Sequence, residues 1–233
     1  MLPLRSIARS VVPGRVGRLR RKLAQAITRT RAGTIPFFSG LGDSSNLLYG
    51  LARSMKPQVC VEIGSARGNS TCAIAMALKE NGHGKLYAID PHTSTSWNDS
   101  NSVNTFEVLQ KNLATLGLVA QVEIIRALSG EVARSWTRPI DLIFIDGDHS
   151  YEGVRADWDL FAPHVSPFGI AAFHDTMWDL NPDSQWSRSD MGVPRLVDEL
   201  RQQGYQVLTI DKDCGISLVQ PTVGGIPLRL HRS

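Results

Sequence analysis

The chain is poor in cysteine: Cys60, Cys72 and Cys214 are the only three among 233 residues. An odd number without paired metal-ligand spacing excludes a disulfide-stapled scaffold and a cysteine-built zinc centre. Buried thiols in a reducing, cytoplasmic setting are the expectation. No apolar run approaches the roughly 20 residues of a membrane span, and the first residues lack the continuous apolar stretch of a secretory signal. The dinucleotide fingerprint Gly-x-Gly-x-x-Gly is also missing, which argues against a nicotinamide-dependent oxidoreductase. Acid is missing from the start of the chain: residues 1–31 hold nine Lys or Arg and no Asp or Glu.

The net charge of +3 therefore conceals two parts. Beyond residue 31 the chain carries 16 basic against 22 acidic side chains, so an acidic body bears a basic appendage. In that appendage, residues 1–42, Val16, Leu19, Leu23 and Ile27 recur at helical spacing among the arginines. A basic amphipathic helix of this kind suits peripheral attachment to an anionic membrane or self-association. An Arg-rich, acid-free start also has the character of an organelle transit segment, and a solvated tail is the plainer alternative. Nucleic-acid binding is not expected, because an acidic body would leave it to the tail alone.

Residues 43–233 read as one domain: 42% hydrophobic and 20% charged residues suffice for a full core. An amphipathic helix over 43–55 leads into an apolar strand at 59–63. Helix 70–78, strand 85–89, helix 104–116, strand 122–125, strand 140–145, helix 151–161, strand 169–173 and helix 193–202 follow. Strands that are apolar throughout and alternate with helices predict a parallel sheet covered on both faces. The last two strands, 205–210 and 215–219, are joined only by Asp211-Lys212-Asp213-Cys214, too short for a crossover, so they form an antiparallel hairpin. The expected fold is α/β, doubly wound, with a seven-stranded, mostly parallel sheet and an antiparallel last strand.

The chemistry-bearing residues fall at strand ends. After the first strand, Glu62 stands where a dinucleotide fold has its first turn glycine, and Gly64 and Gly68 leave a turn open beside that acid. This suits a cofactor with a cationic amino-acid end and a ribose but no phosphate. Asp90, ending the second strand, can accept two hydrogen bonds from a ribose diol. The fourth strand runs into Asp146-Gly147-Asp148-His149, and the fifth into His174-Asp175-Thr176. Carboxyl ends of parallel strands are where open α/β sheets hold ligands. Asp148 reads equally as a turn former; His83, His92, His164 and His231 read as surface or packing residues. Polar stretches at 92–102, with Trp97, and 178–191, with Trp186, are candidate walls for a carbohydrate-like acceptor.

Over residues 43–220 the chain resembles the class I S-adenosylmethionine-dependent methyltransferases, with their Rossmann-like fold. Glu62-Ile63-Gly64-Ser65-Ala66-Arg67-Gly68-Asn69-Ser70 is similar to the Glu-x-Gly-x-x-x-Gly-x-Ser pattern of the metal-dependent O-methyltransferases of the catechol and caffeoyl-CoA type. The resemblance implies that Glu62 faces the cofactor's amino group, that backbone at Gly64 and Ser65 approaches its methionine part, that Gly68 belongs to the same cofactor-binding turn and that Ser70 binds its carboxylate. Asp90 would take the ribose and Ser129 would lie near the adenine. Where the caffeoyl-CoA type has an Asp-Asn pair after the fifth strand, this chain has His174-Asp175. The branch acting on macrolide-antibiotic sugars, with related cephalosporin-pathway proteins, is closer. Its pair ends in Asp, a histidine follows the first metal-binding Asp by three residues as His149 follows Asp146, and Gly192-Val193-Pro194-Arg195 is also similar to it. The resemblance thus implies a divalent metal, Mg²⁺ or Mn²⁺, on Asp146, His174 and Asp175, with Asp146 and His149 catalytic and His149 the base. A histidine ligand favours a transition ion over Mg²⁺. The acceptor would be a small hydroxylated molecule such as a sugar or glycoside. A non-catalytic S-adenosylmethionine-binding interaction protein and, with less support, an NAD-dependent oxidoreductase are the alternatives.

Overall fold

The computed structural model describes residues 41–93, 104–178 and 188–220. The expected basic helix, Trp97, Trp186 and His231 lie outside them. Strands β1 (Val59–Ile63), β2 (Lys85–Ile89), β3 (Val122–Ile125), β4 (Ile140–Ile145), β5 (Val165–His174), β6 (Gln206–Ile210) and β7 (Ile216–Gln220) form one sheet in the order β3-β2-β1-β4-β5-β7-β6. β1 pairs parallel with β2 and β4, and β4 with β5, while β7 runs antiparallel between β5 and β6. The chain winds outward from β1 through β2 to β3, then returns to β4 on the other side. The crevice between β1 and β4 is thus the topological switch point, where such sheets bind ligands.

Helices α1 (Ser44–Met55), α2 (Asn69–Asn81), α3 (Thr105–Leu116), α4 (Ser129–Ala133), α5 (Tyr151–Phe161) and α6 (Val193–Gln202) complete the fold. Strand residues alternate between two cores, as a period of two requires. Cys60, Leu86, Leu142 and Phe144 pack with Leu48, Ile74, Leu78 and Leu109 of α1–α3. Val61, Ile89, Ile143 and Phe173 pack with Trp158, Phe161, Leu196 and Leu200 of α5 and α6. Local chemistry sets the helix starts. The Asn104 side chain accepts from Glu107 N–H at 3.2 Å, and Ser150 Oγ accepts from Gly153 N–H at 3.1 Å, each satisfying a donor the helix itself cannot. All three cysteines are unpaired; Cys60 and Cys72 are buried and Cys214 is half-buried.

Helix α2 runs on to Asn81, α1, α3, β6 and β7 begin one residue later than expected, and two elements differ more substantially from expectation. β5 begins at Val165 rather than 169, because a register shift pairs Ile140 with Val165 and Leu142 with Ile170. The extra residues bulge out, which accommodates Pro167 without a ladder donor and leaves Phe168 exposed. α4 was not expected: five residues are too few to display a helical period. No helix among the described residues is long and apolar enough to cross a membrane.

Candidate active site

At the ends of β1 and β2 the polar side chains bind one another. Glu62 has no exposed surface. Its carboxylate accepts from Ser70 Oγ and, at 2.6 Å, from Thr71 Oγ1, both in the first turn of α2. Burial pushes its pKa up to about 7, against the lowering effect of those hydroxyls. The single hydroxyl proton of Ser70, expected on a cofactor's carboxylate, is here donated to Glu62. Asp90 is half-buried, and its two oxygens accept from Ala66 N–H at 2.8 Å and His92 N–H at 2.6 Å. Each keeps a second lone pair for a ligand.

Gly64 joins this region to the next. Its φ is +88°, and a Cβ there would lie 2.2 Å from the Asp146 carbonyl oxygen, so no other residue fits without moving backbone. Gly64 N–H bonds to Ile89 O at 2.9 Å, and Asp146 N–H to Ile63 O at 2.9 Å, so both loops leave the sheet in register. Gly68, at φ +90°, packs on Leu109 at the start of α2. Ser65 Oγ and His92 Nε2 are buried without hydrogen-bond partners. Two orphaned polar atoms flanking the Asp90 loop and a cradle that excludes a Cβ have the form of a site completed by a polar ligand.

At the ends of β4 and β5 the arrangement is ionic. His149 Nε2 lies 3.5 Å from Asp146 Oδ1, and its Nδ1 is 3.0 Å from Asp175 Oδ2. His174 Nδ1 is 3.2 Å from an oxygen of each carboxylate, and its Nε2 is 2.9 Å from Asp213 O. Burial alone would discharge both imidazoles, but Asp146 and Asp175 outweigh it and raise His149 to about 10 and His174 to about 9. Burial would likewise raise Asp146; His174 and His149 instead hold its carboxyl well below the usual carboxylate range. Asp146, His149 and Asp175 each offer a ligand atom within 4.8 Å of one another. The expected base thus stands in the set that could grip a cation, while the expected third ligand, His174, touches the same carboxylates from the buried side.

The Gly192-Val193-Pro194-Arg195 segment holds the His149 loop in place. Gly192 N–H donates to His149 O at 2.8 Å, a Cβ on Gly192 would fall 2.1 Å from Tyr151 N, and the Arg195 guanidinium stacks 3.8 Å above the Tyr151 ring. Asp148 accepts from Ser150 N–H at 2.9 Å, as a turn former does.

Residues 61–176 match the family model described as a methyltransferase domain. Over those residues this chain carries a methyltransferase domain. Solved structures extend the likeness beyond the matched residues. Cofactor-bound Rv0187 from MTB has a TM-score of 0.66 at 17% identity, covering 93% of this chain and 100% of its own. The O-methyltransferase TomG from Streptomyces achromogenes, involved in tomaymycin synthesis and solved with SAM, has a TM-score of 0.61 at 20% identity, covering 87% and 89%. At such identities the likeness is one of fold. The uncharacterized protein R132 of Acanthamoeba polyphaga mimivirus is 26% identical over 148 residues, and the match spans 62% of this chain and 62% of that protein.

Some side chains have partners or surroundings that were not expected. Ser129, expected near an adenine, donates to Asp157 Oδ1 at 2.5 Å, and burial raises Asp157 to about 6. His92, read as a surface or packing residue, has a fully buried side chain, with Nδ1 3.0 Å from Thr105 Oγ1 and the ring edge-on to Phe106. Its place two residues after Asp90 was the one available signal. His83 is exposed and His164 half-buried, as surface or packing residues should be.

Proposed function

We propose that this methyltransferase domain moves a methyl group from S-adenosylmethionine to a hydroxyl of a small acceptor, a sugar or glycoside, with help from a divalent cation. The observation that carries this reading is the gathering of Asp146, His149, His174 and Asp175 one strand away from the Asp90 and Gly64 cradle.

The residues fit both groups. The cradle offers Asp90 lone pairs and the unpartnered Ser65 Oγ and His92 Nε2 to an uncharged ribose and base. Asp146 and Asp175 offer anionic oxygens and His174 an imidazole nitrogen, a mixed oxygen and nitrogen set that suits Mn²⁺ better than Mg²⁺. When bound, S-adenosylmethionine supplies an electrophilic sulfonium methyl, and a divalent cation makes a coordinated hydroxyl more acidic.

The chain's own residues supply alignment and proton transfer. Gly64 brings the β1 loop against Asp146, so methyl donor and acceptor share one seam. Holding reactants in line recovers roughly 7–11 kcal/mol of a barrier that would otherwise be entropic. His149, with 16% of its side chain exposed against 4% for His174, is the imidazole an acceptor can reach, and so the base. In the bare cluster it keeps its proton, because two carboxylates hold it. Neutralising those carboxylates removes that hold and leaves an imidazole able to accept a proton.

Calorimetry with S-adenosylmethionine and with NAD, then a screen of hydroxylated acceptors with labelled methyl donor in the presence and absence of chelator, tests this reading. Binding of S-adenosylmethionine alone and chelator-sensitive transfer are expected. NAD binding without S-adenosylmethionine binding would overturn the cofactor, and full turnover after verified metal removal would eliminate the cation.

A further inference from the structure

The turn joining β6 to β7 has an unusual backbone. Asp213, Cys214 and Gly215 have φ values of +52°, +68° and +86°, three left-handed residues in a row, two of them bearing side chains. A Cβ makes this conformation costly, so it persists only where the surroundings over-determine it. Its effect shows in the carbonyls. Successive carbonyls of an extended strand alternate in direction, but here three in a row serve one segment. Asp213 O accepts from His174 Nε2–H at 2.9 Å, Cys214 O from Met177 N–H at 2.9 Å and Gly215 O from Thr176 N–H at 3.3 Å.

The turn is gripped from the other side by its own side chains. Asp213 Oδ2 accepts from Asp43 N–H at 2.7 Å, just before α1, and Lys212 Nζ lies 2.7 Å from Asp43 Oδ2. Gly42, at φ +51°, approaches so closely that a Cβ would lie 2.6 Å from Asp213 Cγ.

We infer that Asp213 is a positioning residue for the acid–imidazole cluster: its carboxylate, tied to the start of α1, holds a left-handed turn whose carbonyl sets the tautomer and ring orientation of His174. A carbonyl oxygen has no proton to give, so Nε2 must carry one. Nδ1 is then the nitrogen turned to Asp146 and Asp175, and the one that can trade a proton for a cation. A ring released from Asp213 O and flipped about its Cβ–Cγ bond would present a carbon to those carboxylates instead. Anchoring of this kind behind a ligand histidine is commonly worth about 10–100-fold in affinity or activity. The kinetic consequence rests on the function proposed above; the structural one does not.

The test uses the full chain labelled with ¹⁵N-histidine, the His174 signals being assigned by their loss in His174→Gln. Imidazole ¹⁵N–¹H spectra should show a hydrogen-bonded Nε2–H on His174. Asp213→Val removes the acceptor and disfavours the left-handed backbone; it should abolish that signature and lower kcat about 10–100-fold, leaving KM for S-adenosylmethionine unchanged. Asp213→Asn tolerates a left-handed φ and keeps an acceptor oxygen, and should restore both. A folded Asp213→Val with the native His174 spectrum overturns the inference, and if that variant does not fold, a folded Asp213→Ala with the native spectrum does so. Failure of Asp213→Asn to restore the signature overturns it as well, since negative charge rather than conformation would then be the requirement. If the native chain transfers no methyl group to any acceptor, the spectra still decide the positioning.

Discussion

The two halves of the sheet's carboxyl edge are built on opposite principles. Around β1 and β2 the two carboxylates are satisfied by neutral hydroxyls and backbone amides, and Glu62 is pushed towards its neutral form by burial. Around β4 and β5 two carboxylates and two imidazoles balance one another as charges. The first half keeps two buried polar atoms, Ser65 Oγ and His92 Nε2, without partners beside the Asp90 loop. The second is held by its own protons, so any cation bound there would release protons. The two clusters stand at neighbouring strand ends and meet at Gly64.

The severest way to break this separation is to alter the joint. Gly64→Ala forces a Cβ onto the Asp146 carbonyl and strains a left-handed backbone, costing about 1–3 kcal/mol for overpacking and about 1–2 kcal/mol for conformation. Cofactor affinity and methyl transfer should both be lost, with a lowered midpoint in thermal denaturation; retention of either activity would mean that the halves are independent.

Asp146→Asn and Asp175→Asn should instead touch one half only. Methyl transfer should fall by about 10²–10⁴-fold, while S-adenosylmethionine affinity by calorimetry stays within about threefold, since neither carboxylate bonds to the β1–β2 cradle. A parallel collapse of cofactor binding would show that the cluster is part of the cradle.

The smallest effect concerns the neutral half. Glu62 holds its proton more firmly in the fold, to about 7, than its ordinary value of 4.5. Its contribution to stability is therefore fully present below about pH 4.5 and lost as pH rises through about 7. Glu62→Gln should be less pH-dependent than the native chain by about 2–3 kcal/mol between about pH 5 and about pH 8, read from urea midpoints. An unchanged slope would mean that Glu62 is ionised throughout.

Much of this arrangement was legible before any coordinates. β1, β2, β3, β4, α5 and α6 end where hydrophobic pattern, Gly and Ser place them, because period and capping act within a few residues. Asp90, Asp146 and Asp175 were recognisable for the same reason: an acid directly after an apolar parallel strand emerges at the ligand edge. The bulge in β5 was not, since Pro167 reads as a strand breaker until the register shift opposite Ile140 and Leu142 is known.

The sequence by itself determined the strand–helix order, the closing hairpin and which titratable groups reach the carboxyl edge, since all of these follow from local periodicity and chain direction. Tertiary structure alone decided what those groups touch. The Ser70 hydroxyl faces Glu62 rather than open space, Ser129 meets Asp157 across 28 residues, and His174 meets the Asp213 carbonyl across 39. Such pairings depend on where packed elements bring distant backbone, and the left-handed turn at Asp213 and Cys214 runs against local preference. No pattern of neighbouring residues announces it, because contacts made far away along the chain hold it in place.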